Sequence, residues 1–504
     1  MTDNGRVPET AFPRGLAERL RAILIDADYT VSGVRDRLGD AAARALAREE
    51  LVPALRATGG DERLGLLLRL WWLQSPIPAR AARAVLPVDE LAAAGLVRVD
   101  ERPDGPVVRS LVHLGPWELE EGRPGFVVSD PKVRPGRGEV PRADHVVGAG
   151  GASATLSRLI VDGPAERALD VGTGCGVQAL HLASRSREIT ATDLNPRALR
   201  MAALSTALSG VPDVRLLPGS LYEPVADERF DLIVSNPPFV ITPDASRYTY
   251  RESDLPGDTV CAELVREAPA HLTEGGWCQI LANWVHSDGD DWEDRVGGWI
   301  TGTGCSGWVV QRDVQDPAEY VELWLRDSCE HGTPEYTRRY DAWLDYFERE
   351  GIKGIGFGWI SLRNDVAQDA TVRVEQLRHD IEQPVGPYLP SVVDGAMTAH
   401  RLTDAALLSA HVALAPGVVE ERVGVPGAPD PEKIVLRQRD GLRRVARVGT
   451  VEAALAGVCD GTMPVGPLLD AIAQLINEDP AAVRERVPGA LRTLISEGFF
   501  TVTR

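Results

Sequence analysis

The chain has 504 residues, which predicts two to four domains. Its 74 acidic and 54 basic residues give a net charge of −20, which argues against a general polyanion binder because phosphate affinity comes mostly from Lys and Arg. The hydrophobic fraction of 44% excludes a wholly disordered chain. The apolar stretches are too short to span a membrane, and the six cysteines form no CxxC pair, so we expect a cytoplasmic protein without a disulfide framework or a metal site.

Residues 1–140 are predicted to form a helical, winged-helix-like domain. Apolar residues recur at three- and four-residue spacing in 16–25, 41–51 and 64–72, which indicates helices. A short helix and a strand over 88–99, then a second strand over 107–112, complete the pattern. Such modules bind nucleic acid or serve only for docking, and the sequence leaves this open. Gly, Pro and Arg residues over 132–141 indicate a linker.

Residues 141–365 alternate between strand and helix patterns, which predicts an α/β, Rossmann-like core with a seven-stranded sheet and helices on both faces. The last two strands resemble a hairpin, and an insertion with a helix near 340–350 separates them. The predicted strands are 168–171, 189–193, 214–217, 230–235, 277–284, 308–312 and 355–362.

Residues 366–504 are predicted to form a C-terminal α+β domain. A hairpin surrounds Asp440 and Gly441, helices cover 465–475 and 481–497, and a strand covers 499–502. This order fits either a second winged-helix-like module or a packed C-terminal cap.

A glycine-rich turn joins the first predicted strand to a helix in residues 169–180. The run Gly172-Thr173-Gly174-Cys175-Gly176 allows tight curvature and close approach of a ligand. A similar turn binds dinucleotides, but Asp170 precedes the first glycine by two residues, and a pyrophosphate site has no use for a carboxylate there. A ligand that carries an ammonium group does have a use for a carboxylate at this position.

The second predicted strand ends in Asp193-Leu194-Asn195-Pro196. An acid at this strand tip can accept hydrogen bonds from two ribose hydroxyls. Asp and Asn also cap helices and Pro suits a first turn, so the segment predicts both a ribose contact and a helix start.

The strand over 230–235 runs into Asn236-Pro237-Pro238-Phe239 at the carboxyl edge of the sheet, where open α/β folds bind ligands. The prolines remove backbone donors, so the Asn oxygen and a neighbouring carbonyl can accept both N–H bonds of a planar amino group. Phe239 can stack on that group. This segment predicts an acceptor clamp.

In this order, the three motifs resemble class I S-adenosylmethionine-dependent methyltransferases, closest to the HemK-like release-factor glutamine methyltransferases and the ribosomal RNA guanine-N2 and adenine-N6 enzymes. The resemblance covers about 140–315. In this family an acid after the third strand often contacts the adenine amine, and Ser220 stands in that place, so Ser220 or the backbone at Leu221 would supply the contact. The resemblance implies S-adenosylmethionine as cofactor, held by Asp170, Gly172, Thr173, Gly174, Gly176, Asp193, Leu194, Ser220, Leu221 and Asn236. It implies a catalytic clamp of Asn236, Pro237, Pro238 and Phe239.

The implied function is an enzyme that transfers methyl to a planar amino or amide nitrogen of a macromolecular acceptor, either an RNA base or a protein glutamine. A small-molecule acceptor is the first alternative. The second is a nucleic-acid-binding regulator with a cofactor-sensing core, although a sensor does not need an acceptor clamp. The cofactor is already activated, so we expect neither a catalytic histidine nor a strong general base. The polar loop 240–251 fits a cover over the acceptor or an RNA contact, and equally an ordinary surface loop; the oligomeric state is not predicted.

Overall fold

The computed structural model describes residues 13–60, 62–133, 142–211, 213–243, 257–327, 334–365, 370–426 and 431–503. Most of the predicted linker 132–141 and of the polar loop 240–251 lies outside these residues. None of the helices in the described ranges has the length and apolar character needed to cross a membrane.

The N-terminal region packs helices around one small sheet and one hairpin. The sheet has the order β1–β3–β2, with β3 antiparallel to both neighbours, and β4 pairs with β5. Two helices lie between β1 and β2 in the chain, which is the element order that a winged-helix-like module requires. The elements are α1 (Arg14–Asp26), α2 (Val31–Leu46), α3 (Val52–Ala57), α4 (Arg63–Leu67), β1 (Ile77–Pro78), α5 (Ala79–Val85), α6 (Val88–Ala93), β2 (Val97–Asp100), β3 (Val107–Ser110), β4 (His113–Glu118) and β5 (Pro124–Ser129).

The central region is an α/β unit in which strands and helices alternate as predicted. Its elements are α7 (Gly151–Leu159), β6 (Ala165–Val171), α8 (Val177–Leu182), β7 (Ser186–Asp193), α9 (Pro196–Ser209), β8 (Arg215–Pro218), β9 (Phe230–Ser235), α10 (Thr259–Glu267), β10 (Leu272–Ser287), α11 (Trp292–Gly298), β11 (Cys305–Gln315), α12 (Pro317–Asp327), α13 (Pro334–Arg349), β12 (Ile352–Asn364) and β13 (Val372–Gln376).

These strands form one mixed sheet in the order β13–β11–β12–β10–β9–β6–β7–β8. The seven predicted strands are all present, and β12 runs antiparallel to β10 and β11. The predicted total of seven is wrong for the whole sheet, because an eighth strand, β13, pairs in parallel with the outer edge of β11. This strand lies beyond residue 365, where we predict the third domain to begin; the three-domain division itself stays a prediction.

The sequence around α9 explains why this helix starts and ends where it does. The side chain of Asn195 accepts a hydrogen bond from the Arg197 amide at 2.9 Å, and Pro196 occupies the first turn. Gly210 adopts a left-handed conformation at the other end, with φ of 66°. The helix is therefore fixed directly behind Asp193, at the carboxyl edge of the sheet.

The N-terminal region packs onto the central region through α9. Two buried serines of α9 replace a missing strand neighbour of β5: Ser209 accepts from the Phe126 amide and Ser205 from the Val128 amide, both at 2.9 Å. A continuous apolar core runs from α1 to α9 around these contacts. The two regions are thus joined through a buried interface.

The C-terminal region carries two small sheets and five helices among its described residues. One sheet has the order β15–β16–β17 and contains the predicted hairpin; the other has the order β18–β14–β19. The elements are α14 (Leu389–Arg401), α15 (Asp404–Ser409), β14 (His411–Leu414), β15 (Val418–Val423), β16 (Lys433–Gln438), β17 (Val445–Val448), α16 (Thr450–Val458), β18 (Asp460–Pro464), α17 (Val465–Leu475), α18 (Pro480–Ser496) and β19 (Phe500–Thr503).

The partly buried carboxylate of Glu375, on β13, joins the central sheet to the C-terminal region. It accepts from the Trp308 indole at 2.6 Å, from Arg373 at 2.8 Å and from Arg444 at 2.6 Å. Burial alone would raise the pKa of Glu375, but the hydrogen bonds from the two arginines outweigh it and lower the pKa to about 2. The carboxylate therefore stays ionised, and its charge is compensated inside the interface.

Candidate active site

A cavity of about 620 Å³ opens at the carboxyl edge of the central sheet. Its walls come from the segments that follow β6, β7, β8 and β9, which is where open α/β sheets bind ligands. Most of the predicted site residues meet here. Those that line the cavity are Gly172, Thr173, Gly174, Asp193, Leu194, Ser220, Leu221, Asn236, Pro237, Pro238 and Phe239.

The glycine turn places its backbone, not side chains, against the cavity. Gly172 and Gly174 have φ of 71° and 55°, and a Cβ on either would meet no atom within 4 Å. Glycine is required there by the left-handed backbone and leaves open space for a ligand. Gly176 does not line the cavity: a Cβ there would lie 2.9 Å from the Ala202 Cα, so this glycine lets the turn pack against α9.

Asp170 supports the turn from below and is likewise not among the residues that line the cavity. Its Oδ2 accepts from the Thr173 hydroxyl at 2.6 Å and from the Ala179 amide at 3.1 Å. The other oxygen, Oδ1, is buried and has no hydrogen-bond partner among the described residues. Burial raises the pKa of Asp170 to about 7, and the nearby Asp193 charge adds to this. None of the ion pairs among the described residues involves this carboxylate.

Asp193 occupies the tip of β7, as predicted. Its Oδ2 accepts from the Gly174 amide and its Oδ1 from the Asn195 amide, each at 2.8 Å. Burial raises the pKa of Asp193, although these two hydrogen bonds oppose the rise. Leu194, the next residue, is 62% exposed and lines the same cavity. A fixed carboxylate thus stands beside an apolar surface.

The segments after β6, β7 and β8 together form one half of the cavity, and the loop after β8 is its far wall. Leu221 has a positive φ of 44°, and its carbonyl accepts from the Thr192 hydroxyl at 3.2 Å. Ser220 is exposed at the cavity. Leu221 faces the same space as Leu194, so the cavity here has two apolar sides and one carboxylate.

The segment after β9 forms the other half of the cavity. The Ser235 hydroxyl donates to the Val171 carbonyl at 2.9 Å and fixes the end of the strand. The Asn236 Oδ1 is buried and has no hydrogen-bond partner among the described residues. Since Pro237 and Pro238 have no N–H, this stretch of backbone offers acceptors only. A buried acceptor without a donor is costly in an isolated protein and indicates a site that a donor group fills.

Among the cavity residues that were not predicted, three groups lie outside the predicted motifs. The segment 145–153 covers the cavity, and it is held by Asp130, whose Oδ2 accepts from the Val146 amide at 2.9 Å and from Arg197 Nε at 2.9 Å. Glu263 of α10 and Trp324 of α12 also line the cavity. Only the small residues at 148–153 gave a sequence signal, because the other two lie on helices whose pattern indicates ordinary packing.

The charges at the cavity favour a cationic ligand. The described residues that line it include the carboxylates of Asp193 and Glu263 but no Lys or Arg. Among these described residues, a dinucleotide or another phosphate ligand would find no positive partner, whereas an ammonium or sulfonium group would find a negative one.

Comparisons with known proteins give the class. Residues 150–289 match the family described as methyltransferase small domain, and residues 26–109 match a domain of unknown function. A release factor glutamine methyltransferase of Deinococcus radiodurans is 45% identical over 121 residues, 22% of this chain and 43% of that protein. A ribosomal protein uL3 glutamine methyltransferase of Bradyrhizobium diazoefficiens is 33% identical over 137 residues, 24% of this chain and 43% of that protein. A solved 16S rRNA N2 methyltransferase of T. thermophilus aligns with 45% of this chain and 58% of its own at 18% identity and a TM-score of 0.26.

The match of residues 150–289 to a methyltransferase family confirms the predicted methyltransferase class, and the mixed sheet with its alternating helices confirms the predicted Rossmann-like core fold. The chain spans about half the length or less of the curated relatives it matches. S-adenosylmethionine is the cofactor of this class, and the cavity fits it: a glycine turn without side chains, a fixed carboxylate, apolar walls and no basic residue among the described lining.

Proposed function

We propose that the chain is an S-adenosylmethionine-dependent N-methyltransferase whose acceptor is the side-chain carboxamide of a glutamine in another protein. The observation that carries the proposal is the buried Oδ1 of Asn236, which has no hydrogen-bond partner in the described part of the chain and precedes two prolines at the wall of the cavity. A carboxamide nitrogen has two N–H donors and a flat shape, which suits two acceptors and a neighbouring ring.

The cofactor half has a division of roles. Gly172 and Gly174 admit the methionine portion against the backbone. The Asp193 oxygens, each already fixed by one amide, have lone pairs left for the ribose hydroxyls, and Leu194 and Leu221 enclose the adenine. Thr173, Ser220 and the Asn236 backbone complete this half. Gly176 and Asp170 act indirectly, one by packing the turn on α9 and the other by holding it through Thr173.

The acceptor half positions and polarises the nucleophile. Asn236 Oδ1 and an adjacent carbonyl of the proline pair accept the two carboxamide N–H bonds, which draws the nitrogen lone pair out of conjugation. The bound cofactor supplies an activated methyl group. Methyl transfer to this nitrogen would release its proton to solvent, so the chain's residues need only to align the acceptor nitrogen with the methyl group. No histidine is assigned a role in this step.

The acceptor is proposed to be protein, because the described helices that would face nucleic acid in the flanking modules carry either acids or arginines already paired with acids. The helix α6, in the position of a recognition helix, carries Asp89 and Glu90 in its first turn. On α18 the arginines are paired with acids, in the couples Arg484–Asp470, Arg486–Glu478 and Arg492–Asp404. Together with the net charge of −20, this disfavours phosphate contacts.

Tritiated methyl transfer tests the proposal. The purified chain is incubated with labelled cofactor and either RNase-treated cell protein or total RNA, and Asn236→Ala is the matched control. We expect label in protein that acid hydrolysis releases as volatile methylamine, because the methyl group sits on a carboxamide nitrogen. Label in RNA alone, or only non-volatile label in protein, would reject the glutamine acceptor.

A cytoplasmic location also remains a prediction.

A further inference from the structure

The hairpin of α12 and α13, inserted between β11 and β12, packs against the acceptor segment, which comprises residues 236–241. Val240 and Ile241, which follow Phe239, are 4% and 1% exposed and share one apolar core with Tyr320, Trp343 and Phe347 of the hairpin. The acceptor segment therefore rests on this insertion rather than on the central sheet alone.

Tyr320 ties the hairpin to that segment. Its fully buried hydroxyl accepts from the Ile241 amide at 2.9 Å, and the Asn283 amide of β10 donates to the same oxygen at 3.4 Å. Burial raises the pKa of Tyr320, so the group stays protonated. The Ile241 amide is buried, and loss of this acceptor would leave it unsatisfied.

Trp324, one turn further along α12, lines the cavity and meets Phe239. The two ring centroids are 6.5 Å apart and the planes are inclined at 67°, which is an edge-to-face contact. A nucleobase held between two rings needs them parallel and about 7–8 Å apart, twice a carbon contact distance. The rings instead form a corner, which suits a group as small as a carboxamide.

We propose that Trp324 is the specificity-determining residue that restricts the acceptor to a carboxamide, and that Tyr320 is a positioning residue that holds the acceptor segment through Ile241. This rests on the proposed function, since it explains how a glutamine would be chosen over a nucleobase. It assigns the hairpin, which lies beyond the matched methyltransferase family region, to the acceptor site.

Two bisubstrate probes test Trp324 without relying on turnover. Each joins the cofactor, at the position of its sulfur, through a short alkyl linker either to the carboxamide nitrogen of glutamine or to the amino nitrogen of adenine. In wild type we expect the dissociation constant of the adenine probe to exceed that of the glutamine probe by at least about tenfold. Trp324→Ala should bring the ratio below about threefold, with S-adenosylhomocysteine affinity unchanged.

Trp343→Phe is the matched control, because Trp343 is fully buried in the same aromatic core but does not line the cavity. It should keep the wild-type ratio. A Trp324→Ala variant that keeps the wild-type ratio, or that loses S-adenosylhomocysteine binding, would overturn the role of Trp324 and leave the proposed function standing. A wild-type preference for the adenine probe would instead reject the proposed function.

Tyr320→Phe tests positioning. The variant should lower kcat for the acceptor protein by about tenfold, while KM and S-adenosylhomocysteine affinity stay within about twofold of wild type. Unchanged kcat, or a parallel loss of cofactor binding, would overturn the positioning role of Tyr320.

Discussion

The two halves of the cavity are built in different ways. The cofactor half is made by strand ends of the sheet: a glycine turn after β6, Asp193 at the end of β7 and a loop after β8. The acceptor half adds side chains from α10 and from the α12–α13 insertion to the segment after β9. The first half is thus fixed by local backbone geometry, whereas the second depends on long-range packing against the insertion.

The largest effect should come from the acceptor half. Asn236→Ala should lower kcat by roughly 100- to 1,000-fold, because the carboxamide loses the acceptor that orients and polarises it. S-adenosylhomocysteine affinity, measured by calorimetry, should stay within about twofold. Equal losses of kcat and cofactor affinity would mean that the two halves do not separate.

The reverse result is expected for Asp193. Asp193→Ala should weaken S-adenosylhomocysteine binding by roughly 10- to 100-fold, the value of hydrogen bonds to a charged group. At saturating cofactor, kcat should stay close to wild type. Asp193→Asn, which keeps one acceptor oxygen, should lose less affinity, and an unchanged dissociation constant for both variants would remove the ribose assignment.

A pH titration of cofactor affinity sharpens the comparison. Burial raises the pKa of Asp170 to about 7, so near pH 6 the protonated, neutral form dominates. A cationic cofactor favours the ionised form, so binding should release a proton and tighten by about tenfold from pH 6 to pH 8. Asp170→Asn should flatten this dependence. Affinity that weakens with rising pH would contradict the cationic-ligand reading of the cofactor half.

Ionisation of Asp170 should strengthen cofactor binding, but in the apo protein it should lower the stability of the fold. Because the folded pKa is raised, the carboxyl ionises first in the unfolded chain, so the free energy of unfolding should fall as pH rises from about 4 to about 7. Denaturant titrations of wild type and Asp170→Asn at these two pH values measure the difference. If the free energy of unfolding rose between these two pH values in wild type but not in Asp170→Asn, Asp170 would not be held neutral.

The smallest effect on activity should come from the interface between the N-terminal and central regions. The Trp117 indole donates to His181 Nε2 at 2.8 Å, and burial lowers the pKa of His181 to about 4. The unfolded chain binds a proton below about 6.5, so stability should fall from pH 6.5 towards pH 4 and be unaffected above that range. His181→Gln should reduce this acid sensitivity, with kcat and cofactor affinity unchanged at pH 7.5. Equal acid sensitivity in both proteins would exclude His181 as its source.

Most of the cofactor half could be predicted from sequence, because a strand, a glycine turn and a strand-end acid are close in the chain and depend on backbone geometry. The positions of Asp170 and Gly176 could not: whether they face the ligand or support the turn depends on contacts with Thr173 and with α9. Trp324 could not be assigned either, since it lies far along the chain from Phe239 and its helix shows only an apolar packing pattern.

The prediction of the fold shows the same contrast between local features and long-range contacts. Strands with buried, β-branched residues were located within a few residues, and β9 matches its predicted bounds. The eighth strand was missed, although Val372 and Val374 alternate with polar residues, because it pairs with β11 outside the region assigned to the core. Pairing across the chain, unlike a local turn, leaves little trace in a single segment.

The order of strands in the C-terminal sheet has a consequence for synthesis of the chain. In the N-terminal sheet all three strands lie within residues 77–110, so it can form while the rest is still being translated. In the sheet β18–β14–β19 the middle strand is made first and both partners come later, the last at Phe500–Thr503. On the ribosome, β14 therefore waits about fifty residues for β18 and about ninety residues for β19, and a nascent chain stalled before Phe500 would expose a strand edge prone to aggregation.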